Sequence, residues 1–257
     1  MDLRFNETGV VVTGAAKGIG AAVATAFHEE GARVALIDID SDAGEDLARS
    51  LGRGAHFFHA DVSRSIDVKR AFQEADEALG GFQVLVNNAG VQTYGTVTET
   101  SEEIWDRTLN VNLKSAFLCA QAALPVIQRK GSGVVVNIAS AQSLMSQAKV
   151  AAYTTSKTAL LGLTRSIAVD YAPHIRCVAV CPGAVDTPML QWAVQQSPDP
   201  VGVLEDCRQM HLSGRIASPR EIADLVLFLA SDRAGFMTGQ YYRIDGGVGV
   251  TIAGKMQ

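Results

Sequence analysis

Short apolar runs alternate along this chain with longer amphipathic stretches. The apolar runs are GVVVTG, RVALIDI, AHFFHA, FQVLVNN, GVVVNIA, IRCVAVC and QYYRID, and Val, Ile and Phe recur in them. Such runs favour strands, and near-continuous apolar strands are typical of a parallel sheet that is covered on both faces. The intervening stretches, such as IGAAVATAFHEEGA and AFQEADEALGG, have helical patterns and end at glycine. The pattern therefore predicts an α/β protein with a doubly wound parallel sheet of about seven strands and helices on both faces.

No linker, repeat or low-complexity segment divides the 257 residues, so we expect one Rossmann-type domain over residues 1–257. Hydrophobic residues make up 47% and charged residues 19%, which is typical of a globular protein. The net charge of −5 and the lack of a basic tract argue against nucleic-acid binding. The N-terminus does not resemble a signal peptide, and no apolar run reaches the roughly 18 residues of a membrane span. We therefore expect a cytoplasmic protein that does not bind membranes.

A serine, a tyrosine and a lysine are spaced for proton-transfer chemistry. Tyr153 and Lys157 lie four residues apart in a helical pattern and so share one face, and Ser140 follows the apolar run VVVNIA. A nearby ammonium favours the phenolate, so we expect Lys157 to lower the pKa of Tyr153 from its reference of about 10. Tyr153 is then a candidate general acid/base. The spacing is common on ordinary helices, and it gains weight only beside a cofactor site.

The first predicted strand is followed by a glycine-rich turn that contains Gly14, Gly18 and Gly20. Glycines let the backbone approach a pyrophosphate, which the start of the next helix stabilises. Asp38 ends the second strand, where a carboxylate accepts hydrogen bonds from the adenosine ribose and repels a 2′-phosphate. Lys17 favours the opposite choice, because a cation in this turn attracts a 2′-phosphate. We give Asp38 more weight and expect NAD, with NADP less favoured.

Two further strand ends extend this predicted crevice. Asp61-Val62 closes the third strand, where the carboxylate is placed to accept from an adenine amino group. Asn88-Ala89-Gly90 closes the fourth, where small residues let the backbone lie against a cofactor. Each motif taken alone is more typical of a solvated turn than of a cofactor site.

Together these motifs resemble the short-chain dehydrogenase/reductase family over essentially the whole chain. The matching elements, in order, are TGAAKGIG, Asp38, Asp61-Val62, NNAG, NVNL, Ser140, YTTSK and CPGAVDTP. The resemblance implies a nicotinamide cofactor and a Ser–Tyr–Lys–Asn tetrad, in which Asn112 of NVNL anchors a water in a proton relay. Ala139 stands where the family usually has the first serine of a pair, and the catalytic Ser140 is retained.

The resemblance also assigns a role to each member of the tetrad. Tyr153 exchanges the proton of the substrate hydroxyl, Ser140 polarises the same oxygen, and Lys157 holds the nicotinamide ribose. Thr187 is expected to bind the carboxamide of the nicotinamide. The full expected cofactor site is Gly14, Lys17, Gly18, Ile19, Gly20, Asp38, Asp61, Val62, Asn88, Ala89, Gly90, Tyr153, Lys157, Pro182, Gly183, Val185 and Thr187.

The substrate is expected to lie against loops, chiefly a segment of about residues 186–215. Gln92 and Gln142 are candidates to hydrogen-bond its hydroxyls, and Trp192 is a candidate to stack on a sugar face. Several segments, among them Y-G-T-V after NNAG and S-A-Q at the catalytic serine, resemble aldohexose and related sugar dehydrogenases of the family. The expected reaction is therefore NAD-dependent oxidation of a sugar or polyol hydroxyl, converting an aldose to a lactone. The alternatives are a dehydrogenase or reductase acting on another ketone, hydroxy acid or secondary alcohol, and a non-catalytic NAD-binding protein.

Two further expectations concern assembly and metals. The apolar segment from Ile222 to Ile244, together with the family resemblance, predicts a homotetramer, and the tail 248–257 is expected to reach a neighbouring substrate pocket. His56 and His59 stand three apart in a predicted strand and face opposite sides, and the four cysteines lack metal spacing. We expect no catalytic metal.

Overall fold

The computed structural model describes residues 5–250 and shows one seven-stranded parallel sheet with the strand order β3-β2-β1-β4-β5-β6-β7. Every neighbouring pair of strands is parallel. The strands are β1 (Gly9–Thr13), β2 (Arg33–Asp38), β3 (Ala55–His59), β4 (Val84–Asn87), β5 (Gly133–Ile138), β6 (Ile175–Pro182) and β7 (Tyr241–Ile244). The predicted fold class is confirmed.

Nine α-helices lie within residues 5–250, and most of them connect successive strands. They are α1 (Gly18–Glu29), α2 (Ser41–Leu51), α3 (Ser65–Leu79), α4 (Glu102–Leu109), α5 (Ser115–Arg129), α6 (Ala151–Tyr171), α7 (Pro188–Gln195), α8 (Pro200–Gln209) and α9 (Pro219–Ala230). The expected substrate segment 186–215 therefore contains two helices, α7 and α8.

The five inner strands β1, β2, β4, β5 and β6 are largely buried from both sides, whereas the edge strands β3 and β7 are partly exposed. In β1 all five residues are buried; Val10 and Val12 pack in one hydrophobic cluster with α1 and α9, and Val11 packs in another with α3 and α5. Successive side chains of a strand point to opposite faces, so a strand between two helical layers needs apolar residues at every position. This arrangement explains why the sequence shows runs rather than alternation.

Helix α9 is covered mainly within its own chain. Ile222, Val226 and Leu227 pack in the same cluster as α1 residues, and Leu225 and Phe228 are left partly buried at its margin. The sequence argument assigned the second apolar face of this helix to a partner subunit, whereas α1 occupies much of it.

The carboxyl ends of the parallel strands form the edge at which the site residues gather. The turn after β1, Asn88 after β4 and Ser140 after β5 all lie there, and α7 and α8 extend over the same edge. Ligands of doubly wound sheets bind at this edge, where the strand order reverses between β1 and β4. No helix within residues 5–250 is long and apolar enough to cross a membrane.

Candidate active site

Ser140, Tyr153 and Lys157 meet at one buried cavity of about 380 Å³. Tyr153 and Lys157 are one turn apart on α6 and are 8% and 5% exposed, and Ser140 follows β5 as the residue before a short 3₁₀ turn. The Ser140 hydroxyl oxygen accepts a hydrogen bond from the backbone N–H of Gln142 at 3.1 Å. The structure thus brings together the three side chains that the sequence singled out.

Burial sets the protonation of this group. It raises the pKa of Tyr153, an effect that a hydrogen bond with Ser140 partly offsets, and it lowers the pKa of Lys157 to about 8. The Lys157 nitrogen lies 5.9 Å from the centre of the Tyr153 ring and donates to the carbonyl oxygen of Ile138 at 2.9 Å. The expectation that Lys157 lowers the pKa of Tyr153 is wrong for the protein alone, because desolvation outweighs the other contributions.

Asn112 lies in a π-helical segment, Asn110–Lys114, between α4 and α5. Its side-chain oxygen accepts from the N–H of Val91 at 2.8 Å, and its NH₂ group donates to the Val91 carbonyl at 2.9 Å and to the Ser156 hydroxyl at 3.0 Å. Single-turn π segments are frequent at functional sites. Here the segment places Asn112 against Gly90. A Cβ atom added to Gly90 would lie 3.3 Å from the Asn112 side-chain oxygen and 3.4 Å from the Lys157 nitrogen.

A second cavity of about 620 Å³ lies above the carboxyl ends of β1, β2 and β4 and shares Ile19, Asn88, Gly90 and Thr187 with the first. Its floor is the glycine-rich turn, where Gly14 and Gly18 have φ of +62° and +58°. These values favour glycine. A Cβ on Gly20 would collide with the carbonyl oxygen of Gly14, so this position cannot accept a side chain.

Asn88 fixes the turn from the other side. Its side-chain nitrogen donates to the carbonyl oxygens of Thr13 at 3.0 Å and Gly14 at 2.9 Å. The N–H groups of Asn88 and Ala89 both donate to the Thr13 hydroxyl. The ends of β1 and β4 are therefore joined before any ligand binds, and the backbone of the turn is held open.

Two carboxylates stand at the end of β2. One Asp38 oxygen accepts from the N–H of Ala16 at 2.9 Å, and the other accepts from the N–H of Asp40 at 3.0 Å. Lys17 forms an exposed ion pair with Asp40 at 2.6 Å, which raises the pKa of Lys17 and lowers that of Asp40. Lys17, which the sequence analysis weighed against Asp38 in the choice of coenzyme, is thus already paired with the carboxylate of Asp40.

The remaining expected cofactor residues line the same two cavities. Asp61 and Val62 line the larger one, and Pro182, Gly183 and Val185 line the smaller. One oxygen of Asp61 accepts from the N–H and the hydroxyl of Ser63. Thr187 caps α7 by accepting from the N–H of Leu190.

The three expected substrate residues do not all reach the cavity beside Tyr153. Gln92 and Gln142 line it. Trp192 does not; it is 48% exposed and stacks on Tyr94, with ring centroids 6.4 Å apart. Tyr94 itself lines the cavity, so Trp192 supports that wall from behind.

The family model described as enoyl-(acyl carrier protein) reductase matches residues 14–249. This match covers most of the glycine-rich turn, Asn112, Ser140, Tyr153 and Lys157, and the last strand, β7. The chain belongs to the short-chain dehydrogenase/reductase family. It is an oxidoreductase of that family, and its relatives include dehydrogenases that act on alcohol groups.

Several curated relatives of this oxidoreductase match over nearly their whole length. An uncharacterized oxidoreductase of Thermotoga maritima is 41% identical, covering 95% of this chain and 98% of the relative. A 2-(S)-hydroxypropyl-CoM dehydrogenase of Xanthobacter autotrophicus is 36% identical, covering 96% and 99%. A probable galactose dehydrogenase of Rhizobium meliloti is 37% identical, covering 96% of each chain.

Solved structures show the same fold. The aldohexose dehydrogenase of Thermoplasma acidophilum superposes with a TM-score of 0.90 at 34% identity, covering 98% of each chain. L-sorbose reductase of Gluconobacter frateurii, solved with NADPH and L-sorbose, gives 0.93 at 28% identity, covering 98% of this chain and all of the other. A 3-ketoacyl-(acyl-carrier-protein) reductase of Brucella melitensis, solved with NADH, gives 0.89 at 28%, covering 96% and 100%. Structural neighbours of this oxidoreductase thus bind NADH or NADPH.

The structure adds site residues that sequence reasoning missed. Asp40 joins the cofactor cavity, and its only sequence signal is a second acidic residue two positions after Asp38. His211 is buried against the substrate cavity, where its Nε2 accepts from the N–H of Ala184 and its Nδ1 faces the carbonyl oxygen of Cys207 at 2.6 Å. Nothing in the local pattern around His211 predicts this packing, because it depends on contacts between separate elements.

In the described part of the chain, no three histidine, cysteine or acidic side chains cluster in a way that would hold a metal ion. His56 and His59 occupy positions in β3, and the His56 ring stacks on Phe58 with centroids 6.5 Å apart.

Proposed function

We propose that this enzyme oxidises a hydroxyl of a sugar or polyol with NAD, and that an aldose is converted to its lactone. The observation that carries the proposal is the buried cluster of Ser140, Tyr153 and Lys157 in a cavity that shares lining residues with a second, larger cavity. One cavity has the glycine-rich floor of a dinucleotide site, and the other has the size of a small substrate. The likeness to an aldohexose dehydrogenase and a probable galactose dehydrogenase favours a sugar.

The residues of the larger cavity fit a dinucleotide. Its glycine-lined turn leaves room for a pyrophosphate at the start of α1, and the Asp38 carboxylate is placed to accept from ribose hydroxyls. When bound, the nicotinamide supplies the acceptor for a hydride, which carries two electrons from the substrate carbon.

Residues of the chain itself bind and transfer the proton of the substrate hydroxyl. Tyr153 takes the proton of the substrate hydroxyl as its oxygen becomes a carbonyl, and Ser140 hydrogen-bonds the same oxygen. Lys157 holds the ribose and stabilises the Tyr153 phenolate. Both hydrogens of the Asn112 side-chain NH₂ group are donated to protein atoms, the Val91 carbonyl and the Ser156 hydroxyl. A relay water at this residue would therefore donate a hydrogen bond to an oxygen atom of Asn112.

NAD is favoured over NADP by charge. Asp38 and Asp40 both line the cavity near the expected adenosine ribose, and Lys17 is committed to Asp40. A 2′-phosphate would face two carboxylates with one cation between them, which is unfavourable.

The second candidate is oxidation of a simpler secondary alcohol, or the reverse reduction of its ketone. The 36% identity to a 2-(S)-hydroxypropyl-CoM dehydrogenase favours it. The same four residues would perform the same proton transfer, so only the substrate separates the two candidates. A non-catalytic NAD-binding protein would not require Tyr153 and Lys157 to lie one turn apart on the same face of α6.

The enzyme is also proposed to be a cytoplasmic homotetramer. Phe236 is fully exposed and Tyr241 of β7 is 44% exposed, and both lie in the segment from Ile222 to Ile244 on which the assembly is expected to rest. An interface between subunits would cover these aromatic side chains. The expected role of tail 248–257 falls mostly outside the described residues.

The test is NADH formation from a panel of aldoses, polyols and secondary alcohols, followed by absorbance, with wild-type enzyme and Tyr153→Phe. Turnover of sugars by the wild type and its loss in Tyr153→Phe, with NAD binding retained, would support the proposal. Turnover confined to non-sugar alcohols would select the second candidate, and NAD binding without any turnover would select the non-catalytic protein.

A further inference from the structure

The substrate cavity is almost free of charge. Among its lining residues in the described part of the chain, Lys157 is the one side chain with a formal charge, and no Asp, Glu or Arg lines it. The Lys157 nitrogen already donates to Ile138. His211 accepts the N–H of Ala184 at Nε2, which requires a neutral ring. Lys157, the one cation, stands beside Tyr153, so a carboxylate or phosphate held elsewhere in the cavity would lose its hydration without gaining a cation, which is strongly unfavourable.

Two walls of this cavity differ in chemistry. Part of the lining, the amide wall, carries the amides of Gln92, Gln142 and Gln147, and another part is the lid formed by α7 and α8. The lid presents Met189 and Val203, with other aliphatic side chains between them. The lining therefore combines a polar part with a hydrocarbon part.

The amide wall contains an unused acceptor. The Gln142 side-chain nitrogen donates to the Gln147 oxygen at 3.4 Å, which leaves the Gln142 oxygen facing away from that bond. This oxygen is buried and has no hydrogen-bond partner among the described residues. A buried acceptor without a donor is unfavourable. The oxygen has almost no exposed surface, so a substrate hydroxyl would supply the donor once the Gln142 side chain turns toward the cavity that it lines.

We propose that the substrate is an uncharged aldose or polyol with hydroxyls on one face and a hydrocarbon edge on the other, and that sugar acids and sugar phosphates are excluded. Gln142 accepts one of the hydroxyls, and the lid packs against the hydrocarbon edge. The inference rests on the proposed function and narrows it to a substrate class.

Assays of the wild-type enzyme with two series of sugars test both the exclusion of charged substrates and the packing of the lid against a hydrocarbon edge of the sugar. D-galactose, D-fucose and D-galacturonate share ring stereochemistry and differ only at carbon 6, which is the carbon of a hydroxymethyl, a methyl or a carboxylate group. D-glucose, 6-deoxy-D-glucose and D-glucuronate form a second such series. We expect the 6-deoxy sugar to match or exceed its parent in kcat/KM, and the uronate to be lower by about a hundredfold or more. A uronate or a sugar 6-phosphate that equals its parent would overturn the inference.

A matched pair of lid variants tests the reason for the exclusion. Val203 lines the cavity, whereas Val201, two residues earlier on α8, is 80% exposed and outside the lining. Val203→Lys should raise the kcat/KM ratio of uronate to parent sugar by about tenfold, because it gives the carboxylate a cation. Val201→Lys adds the same charge outside the cavity and should leave the ratio unchanged. Equal ratios in both variants would contradict the inference.

The role of Gln142 has its own readout. Gln142→Met keeps a similar volume and removes the acceptor, and it should lower kcat/KM about tenfold for a sugar that uses it. In a series of monodeoxy sugars, the one that lacks the partner hydroxyl should be insensitive to this variant. A loss of the same size for every deoxy sugar would mean that Gln142 only supports the wall, and would remove it from substrate recognition.

These outcomes separate the inference from the proposed function. Turnover of sugar acids in preference to neutral sugars overturns the inference and leaves sugar oxidation standing. Turnover of neutral secondary alcohols without any sugar overturns the sugar and supports the uncharged site. Preference for anionic hydroxy acids overturns both.

Discussion

The side-chain nitrogen of Lys157 lies 5.9 Å from the centre of the Tyr153 ring, and both groups are buried in the same pocket. Neutral Lys157 with neutral Tyr153 holds the same number of protons as the Lys157 ammonium with the Tyr153 phenolate. Either state is reached when one proton leaves the two groups, and the first proton leaves near the Lys157 pKa of about 8. The phenolate that oxidation needs can form once this first proton has left.

The loss of this first proton predicts the pH profile of oxidation. With sugar and NAD both far below saturation, the rate should rise about tenfold per pH unit below pH 8 and level off above it. Stopped-assay or continuous NADH measurements from pH 6 to 10 give the profile. A rate that still rises steeply up to pH 10 would mean that Tyr153 titrates alone, because burial raises its pKa. A rate independent of pH would remove Tyr153 as the base.

Lys157 should reduce the stability of the protein alone. Its pKa is lowered to about 8, so below that pH the folded state holds a buried ammonium that the unfolded state solvates. Lys157→Met should therefore raise the free energy of unfolding by about 2 kcal/mol at pH 7, after allowing for the lost hydrogen bond to Ile138. The advantage should shrink between pH 8 and 10.5, where wild-type Lys157 becomes neutral in both states.

Denaturant unfolding of the NAD-free proteins at several pH values measures this effect. Lys69→Met is the control, because Lys69 is exposed on α3 and its replacement should change little at any pH. A less stable Lys157→Met at pH 7 would show that the lysine is better solvated than its burial implies.

Asp38 should govern coenzyme choice. Wild type should prefer NAD over NADP in kcat/KM, and Asp38→Ala should narrow the preference by about ten- to a hundredfold, because a carboxylate near the 2′-phosphate is removed. Asp42→Ala is the matched control, since Asp42 is exposed in the first turn of α2 and does not line the cavity. A wild-type preference for NADP would show that Lys17 outweighs both carboxylates.

Assembly is tested by mass. Light scattering should give about four chains per particle, and Phe236→Glu should lower that mass, because the exposed ring is suited to an interface. Val97→Glu, at another exposed apolar residue, serves as the control. A monomeric wild type would end the proposal, and a tetramer that survives Phe236→Glu would move the interface elsewhere.

The sequence predicted the sheet and the proximity of Ser140, Tyr153 and Lys157 because both depend largely on local pattern. Short apolar runs without alternation, rich in Val and Ile, favour strands covered on both faces, and the Tyr153–Lys157 register follows from helix geometry. Properties that depend on several elements escaped prediction. The raised pKa of Tyr153 reflects burial by its surroundings, the pairing of Lys17 with Asp40 links two separate turns, and Trp192 packs on Tyr94 from another loop.

Asp40 makes a second interaction besides its ion pair with Lys17, and this interaction limits how coenzyme preference can evolve. Its carboxylate caps α2 by accepting the N–H of Ala43 at 3.2 Å, while it also holds Lys17. An Asp40→Ala substitution would remove this negative charge and so favour NADP, but it would also remove the cap of α2. The loss of the cap should lower the free energy of unfolding by about 1 kcal/mol. Serine caps helices without a charge, so Asp40→Ser is the accessible first step on that path. Directed-evolution libraries that aim at NADP should begin from it.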